Sequence, residues 1–94
     1  MKKIKFDGLE YEVKLKDKSN DNNMGLILYK KLEIEIDESM PEQLQRSTLF
    51  HECTHLVLAS LGETELNDNE GFVERLSNAF YRLVKDNKNT LFEE

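Results

Sequence analysis

The sequence predicts one α+β domain over residues 1–94, in which a small, largely antiparallel sheet of hairpins precedes two helices. Three observations predict this class. Apolar and polar residues alternate over residues 1–37, which is the period of a strand. Apolar residues then recur every three or four positions over residues 39–62 and 67–87, which is the period of a helix. A chain of 94 residues is long enough for one hydrophobic core and too short for two.

The first hairpin is predicted from its turn and from its charges. Asp7-Gly8 suits a type I′ turn, because both central positions of that turn require a positive φ angle. Phe6 then pairs with Leu9, and this register places opposite charges across the strands on the outer face. The other cross-strand pairs that we expect are Ile4 with Tyr11, Lys5 with Glu10 and Lys3 with Glu12.

A second hairpin is predicted after a polar loop. Its first strand spans residues 25–29, its second strand spans residues 32–37, and Lys30-Lys31 forms the turn. Because residues 25–29 are nearly all apolar, this strand is either buried at the centre of the sheet or a free edge to which an extended peptide can add.

The two helices have start signals of the same type. Ser39 and Glu42 fit a capping box, and the helix that they open is expected to run to Gly62. Asn67 and Glu70 fit an equivalent cap for the helix over residues 67–87.

Composition and charge exclude several classes of protein. The chain has 13 Lys and Arg against 19 Asp and Glu, a net charge of −6 that argues against nucleic acid and anionic membrane surfaces as partners. The single cysteine cannot form an internal disulfide, and we find neither a signal peptide nor a membrane span in the sequence. We therefore expect a soluble protein of a reducing compartment.

The two histidines of the chain lie four residues apart in the segment His51-Glu52-Cys53-Thr54-His55. On a helix, residues four apart lie one turn above each other, so both imidazoles can bind one metal ion. Glu52, about 100° round the helix, can lie beside that ion without binding it, where it can act as general base for water that zinc activates. We therefore predict Zn²⁺ as cofactor and Glu52 as catalytic residue.

The third zinc ligand is expected to be a carboxylate. No further histidine is available, and Cys53 is predicted to point to the opposite face of the helix as a small core residue. A metzincin is excluded, since Leu58 and Leu61 stand where that pattern needs Gly and His. The candidates that follow the motif are Glu63, Glu65, Asp68, Glu70 and Glu74. Two of them, Glu70 and Glu74, share one flank of the second helix, where a metal would relieve their repulsion.

Two motifs resemble those of gluzincin metallopeptidases. Residues 51–55 match the first motif, and Asn69-Glu70-Gly71-Phe72-Val73-Glu74 is similar to the second, Asn-Glu-x-x-x-Asp. The resemblance implies Glu70 as third zinc ligand. It implies Glu74 as an acid that contacts a zinc ligand and does not bind the zinc itself. The order of hairpins and helices also looks like the small phage-borne and mobile-element metallopeptidases related to the ImmA/IrrE type, which implies a minimal zincin fold and a bacterial cytoplasmic location. Those relatives usually have Glu-x-x-Ala-Asn in the second motif, where this chain has Glu70-Gly71-Phe72-Val73-Glu74.

The function expected from these residues is zinc-dependent hydrolysis of a peptide or protein substrate, with zinc on His51, His55 and Glu70. Tyr81, Tyr29 and Thr54 are candidates for the group that donates a hydrogen bond to the oxyanion. The alternative is a zinc-containing module that captures a host protein without cutting it. Retention of Glu52 favours the enzyme, because zinc binding alone does not require that side chain.

Overall fold

The structure is a computed structural model and describes residues 2–93. Four strands are followed by four helices. The strands are β1 (Lys3–Phe6), β2 (Leu9–Lys16), β3 (Gly25–Leu28) and β4 (Glu33–Asp37), and the helices are α1 (Glu42–Ser60), α2 (Thr64–Asp68), α3 (Glu70–Asp86) and α4 (Lys88–Leu91). The predicted α+β class is confirmed. None of the helices in residues 2–93 is both long and apolar enough to cross a membrane.

The sheet is mixed, with the strand order β1-β2-β4-β3. The pairs β1/β2 and β3/β4 are antiparallel, as the two predicted hairpins require. The central pair β2/β4 is parallel, and the sequence analysis did not predict it. After β2 the chain skips one strand position to form β3 and then returns to form β4 between them. Within residues 2–93, β3 therefore pairs only with β4 and forms an edge of the sheet.

The first hairpin has the register that was predicted. Phe6 pairs with Leu9 and Ile4 pairs with Tyr11. Asp7 and Gly8 have φ angles of 51° and 78°, the positive values of the predicted turn. This hairpin therefore follows from local sequence alone.

The turn of the second hairpin is longer than predicted. Strand β3 ends at Leu28, residues Tyr29–Lys31 form a short 3-10 helix, and Leu32 adopts a left-handed conformation with φ of 54°. Residues 29 and 32 therefore belong to the turn and not to the strands. The amide of Leu32 donates to the carbonyl of Tyr29 and closes the turn.

Helix α1 lies between the sheet and α3. Leu56, 4% exposed, joins the core formed with the sheet, whereas Leu58, 6% exposed, lines the α1–α3 interface. The side chains that share the core with Leu56 are Tyr11, Val13, Ile34 and Ile36. Helix α3 packs on the side of α1 that faces away from the sheet.

The predicted Ser39 cap is wrong. Helix α1 begins at Glu42, after Pro41, and no side chain caps its amides. The hydroxyl and the amide of Ser39 both donate to Asp37 Oδ1, at 2.8 and 3.0 Å. The nearby carboxylate therefore holds Ser39 in a turn before the helix.

The predicted helix over residues 67–87 is divided at Asn69. Its extended backbone separates α2 from α3, and its side chain accepts from the Phe72 amide as the cap of α3. The prediction of Asn67 as the cap is therefore wrong. Asn67 lies inside α2, which leaves its side chain free for another partner.

Candidate metal centre

The two histidines project from the same face of α1. Their ring centroids lie 5.0 Å apart, and the side chains of His51 and His55 are 14% and 15% exposed. Helical geometry explains the arrangement, because residues four apart are separated by one turn along the axis. This face of α1 is the one that α3 approaches.

Glu70, the first residue of α3, reaches both imidazoles. Its Oε1 atom lies 2.8 Å from His55 Nε2, and its Oε2 atom lies 3.5 Å from His51 Nε2. Two ligand atoms of a tetrahedral zinc ion, with bonds of about 2.0–2.1 Å, lie roughly 3.3 Å apart. The distances from Glu70 to the two histidine nitrogens, 2.8 and 3.5 Å, lie on either side of that value. The ligand atoms of His51, His55 and Glu70 all lie within 4.8 Å of one another, so this group could hold a metal ion.

Asn67 and Glu74 contact the outer nitrogens of the two rings. Asn67 Oδ1 lies 2.6 Å from His55 Nδ1 and can accept a hydrogen bond from it, which would direct Nε2 toward a metal ion on the side of Glu70. Glu74 Oε2 lies 3.0 Å from His51 Nδ1, but outside hydrogen-bond geometry, so this buried nitrogen has no hydrogen-bond partner within residues 2–93. Asn78 donates to Glu74 Oε1 at 3.2 Å.

Glu52 lies on a different face of α1 from the histidines. It is only 8% exposed, and it is not a member of the group that could hold the metal. Burial raises the pKa of its carboxyl group and the charge of Glu70 raises it further, while positive charge on the histidines opposes the rise. A position beside the metal group and outside it was predicted for Glu52 from the sequence.

A cleft of about 180 Å³ joins Glu52 to the metal group and to the start of β3. Its lining residues come from the loop before β3, from α1 and from α3: Asn22, Asn23, Met24, Gly25, Leu44, Ser47, Thr48, His51, Glu52, Glu70 and Glu74. A larger groove of about 630 Å³ lies between β2 and the first half of α1. None of the candidate site residues lines that groove, so the smaller cleft is the candidate active site.

The remaining carboxylates considered as ligands lie outside the group. Glu63, Glu65 and Asp68 are exposed in or beside α2 and contact neither imidazole. Cys53 is partly buried and lines an apolar groove between α1 and α3 rather than the core. Burial raises the pKa of its thiol to about 11, as expected of an unreactive cysteine.

The three candidate oxyanion donors lie in different places. The hydroxyl of Thr54 donates to the carbonyl of Phe50 in its own helix, and the ring of Tyr81 packs edge-on against Phe50. Tyr29, in the 3-10 turn after β3, is 48% exposed. Burial of part of the Tyr29 side chain raises its pKa, and the charges of Tyr11 and Glu52 add to the rise.

Asn67 was not among the site residues predicted from the sequence. An amide side chain between a His pair and a carboxylate ligand was the available signal, but its spacing to Glu70 favoured a helix cap.

Comparison with protein-family models, with characterised proteins and with solved structures gives no match to this chain. The resemblance to gluzincins therefore stays a prediction from the two motifs.

The donor set fits a zinc ion. Two imidazole nitrogens and one carboxylate oxygen are the ligand types of catalytic zinc sites with three protein ligands. Neutral rings that donate their other proton, as His55 does to Asn67, are the typical form of histidine ligands. A cation would also reduce the repulsion between Glu70 and Glu74, which lie four residues apart on α3.

Glu70→Ala is expected to lower zinc affinity far more than Glu74→Ala. Glu70 supplies a ligand atom, whereas Glu74 touches only the outer nitrogen of His51, and loss of such a contact costs roughly 10- to 100-fold in affinity. Competition with a chelator measures both affinities, with His51→Ala as the reference for a lost ligand and Glu65→Ala as the control for a lost exposed acid. Equal or reversed effects would transfer the ligand role to Glu74.

Asn67→Ala should weaken zinc binding by roughly 10- to 100-fold, because His55 Nδ1 loses the acceptor that fixes its proton. Asn89→Ala, in α4, is the matched control and should bind zinc as the parent does. Urea unfolding of both variants shows whether the fold is retained. Parental zinc affinity in a folded Asn67→Ala protein would show that Asn67 does not set the state of His55.

Proposed function

We propose that this protein is a zinc-dependent metallopeptidase with Glu52 as general base. The observation that carries the proposal is that one cleft is lined by Glu52 and by two members of the metal group, His51 and Glu70. A structural zinc site would use a fourth protein ligand, and within residues 2–93 no fourth side chain joins this group. A position open to solvent is what hydrolysis needs.

Each residue has a distinct role in the proposed reaction. His51, His55 and Glu70 hold the zinc ion, which when bound activates water and polarises the substrate carbonyl. Glu52 accepts a proton from the attacking water at a carboxylate oxygen and delivers it to the amine that leaves.

The free edge of β3 places the substrate. The amide of Asp37 donates to the carbonyl of Met24 at 2.9 Å, so this pair is a hydrogen-bonded pair of the antiparallel ladder. By alternation, Leu26 and Leu28 also bond to β4, whereas Gly25 and Ile27 point their N–H and C=O groups to the open edge. An extended peptide added there runs beside the cleft that contains Glu52.

Glu52→Gln should abolish hydrolysis and leave zinc content and thermal stability unchanged. Glutamine keeps the size of the side chain but cannot accept the proton, and general acid-base catalysis contributes roughly 10²- to 10⁴-fold. The assay incubates zinc-loaded protein with a tryptic digest of cell extract and identifies newly formed peptide termini by mass spectrometry. We expect reproducible new termini from the parent and a loss of that magnitude in the variant.

Two results would reject the peptidase. The parent could form no new termini, or Glu52→Gln could form them at the parental rate. In either case the zinc-containing binding module remains, and a zinc-loaded Glu52→Gln protein should then retain every biological activity of the parent.

Peptide addition to β3 has its own signature in amide NMR spectra. Zinc-loaded, ¹⁵N-labelled Glu52→Gln protein is titrated with a peptide that the parent cleaves. The amide protons of Gly25 and Ile27 should move downfield, because each gains a hydrogen bond, while those of Leu26 and Leu28 serve as internal controls. Shifts at β1, the other edge of the sheet, would place the substrate elsewhere.

A further inference from the structure

The edge strand packs closely on Glu52 at Gly25. A Cβ atom on Gly25 would lie 2.8 Å from Thr48 Cγ2, 3.3 Å from Glu52 Cγ and 3.3 Å from the carbonyl oxygen of Glu35. A carbon atom 2.8 Å from another is a steric overlap. The backbone of β3 therefore packs directly on the side chains of Thr48 and Glu52 in α1.

Space, and not backbone conformation, requires a glycine here. Gly8 and Gly62 have φ angles of 78° and 74°, but Gly25 is not among the residues with positive φ. It lies in a strand and pairs with Ile36. An alanine at this position thus meets no backbone strain, and its effect reports the contact alone.

Packing, rather than hydrogen bonding, determines where the Glu52 carboxylate lies. Glu52 is 8% exposed, and within residues 2–93 its carboxylate takes part in no side-chain hydrogen bond or ion pair. Thr48, at 6% exposed, is one turn before Glu52 and is also buried. The wall that confines the methylene groups of Glu52 is therefore formed in part by the bare backbone of Gly25.

We propose that Gly25 is a positioning residue for Glu52, a role that rests on the proposed function of Glu52 as general base. Without a side chain at residue 25, β3 packs against Glu52 and directs its carboxylate into the cleft that Glu52 shares with His51 and Glu70. A methyl group at residue 25 displaces Thr48 and Glu52 away from the strand, since the third neighbour is backbone of β4. The geometry of proton transfer is then lost, while the zinc ligands on the other face of α1 stay in place.

The test uses Gly25→Ala, Thr48→Ser and the double variant. Thr48→Ser removes only the Cγ2 atom that meets the new methyl group at 2.8 Å, so the double variant should recover the parental arrangement. Gly71→Ala is the matched control. At Gly71 a Cβ would meet only the end of the Arg75 side chain at 3.3 Å and Asn69 Oδ1 at 3.5 Å.

Two readouts are needed. In the zinc-free protein, NMR measures the carboxyl carbon shift of Glu52 and the nuclear Overhauser effects from its Hγ protons to Hα of residue 25. In the zinc-loaded protein, the rate of new terminus formation in the tryptic digest is measured. Gly25→Ala should change the NMR signals and slow the rate by roughly 10- to 100-fold, the scale of a misplacement of about 1 Å. Zinc affinity should not change, and Thr48→Ser in the double variant should restore both readouts.

The outcomes separate this inference from the proposed function. Unchanged Glu52 signals in Gly25→Ala would overturn the positioning role, as would a slow double variant whose Glu52 signals are parental. If the parent forms no new termini, the proposed peptidase fails, and the NMR readout alone then decides whether Gly25 positions Glu52. Displaced signals that Thr48→Ser restores would support the inference in that case.

Discussion

The burial of α1 on two sides is the constraint on which the rest of this structure depends. One side packs on the sheet through Leu56, and the other meets α3 at Leu58. Residues one position apart on a helix differ by about 100°, so a His-Glu pair in the middle of such a helix is divided between its two interfaces. His51 faces α3, which supplies Glu70, while Glu52 faces β3, which supplies Gly25. A helix covered on one side only would leave one of these groups in open solvent.

Electrostatics make this arrangement costly without a cation. Glu52 is buried, and Glu70 and Glu74 stand one turn apart on α3, where Glu70 contacts both imidazoles and Glu74 contacts that of His51. Burial of a carboxylate disfavours its charged form, and like charges four residues apart destabilise a helix. A divalent ion held by His51, His55 and Glu70 would supply the opposing positive charge. The metal would then stabilise the packing of α3 on α1 as well as supply chemistry.

The parts of the fold that could be predicted from the sequence depend on neighbouring residues. Asp7-Gly8 determines the register of the first hairpin, and the spacing of His51 and His55 determines that their rings meet. The parallel pairing of β2 with β4 could not be predicted, because strand periodicity gives the faces of a strand and not its partner.

The errors at the helix starts have a common physical cause, which is competition between polar side chains that are close in sequence. Asp37 takes both donors of Ser39, so Ser39 is lost as a cap. Because Asn69 caps α3, the side chain of Asn67 remains available and contacts His55 Nδ1. A short sequence window contains all the competitors but not the tertiary contacts that select among them.

The strand order β1-β2-β4-β3 also imposes a sequence of events on folding. Each hairpin can close within microseconds from adjacent residues, but the parallel pair must wait until the chain has formed β3 and returned, because distant contacts cost more loop entropy. A chain leaving the ribosome, amino terminus first, thus exposes its whole sheet before residues 67–74 emerge. Any metal ion that His51, His55 and Glu70 hold can therefore be bound by all three side chains only after the sheet has emerged.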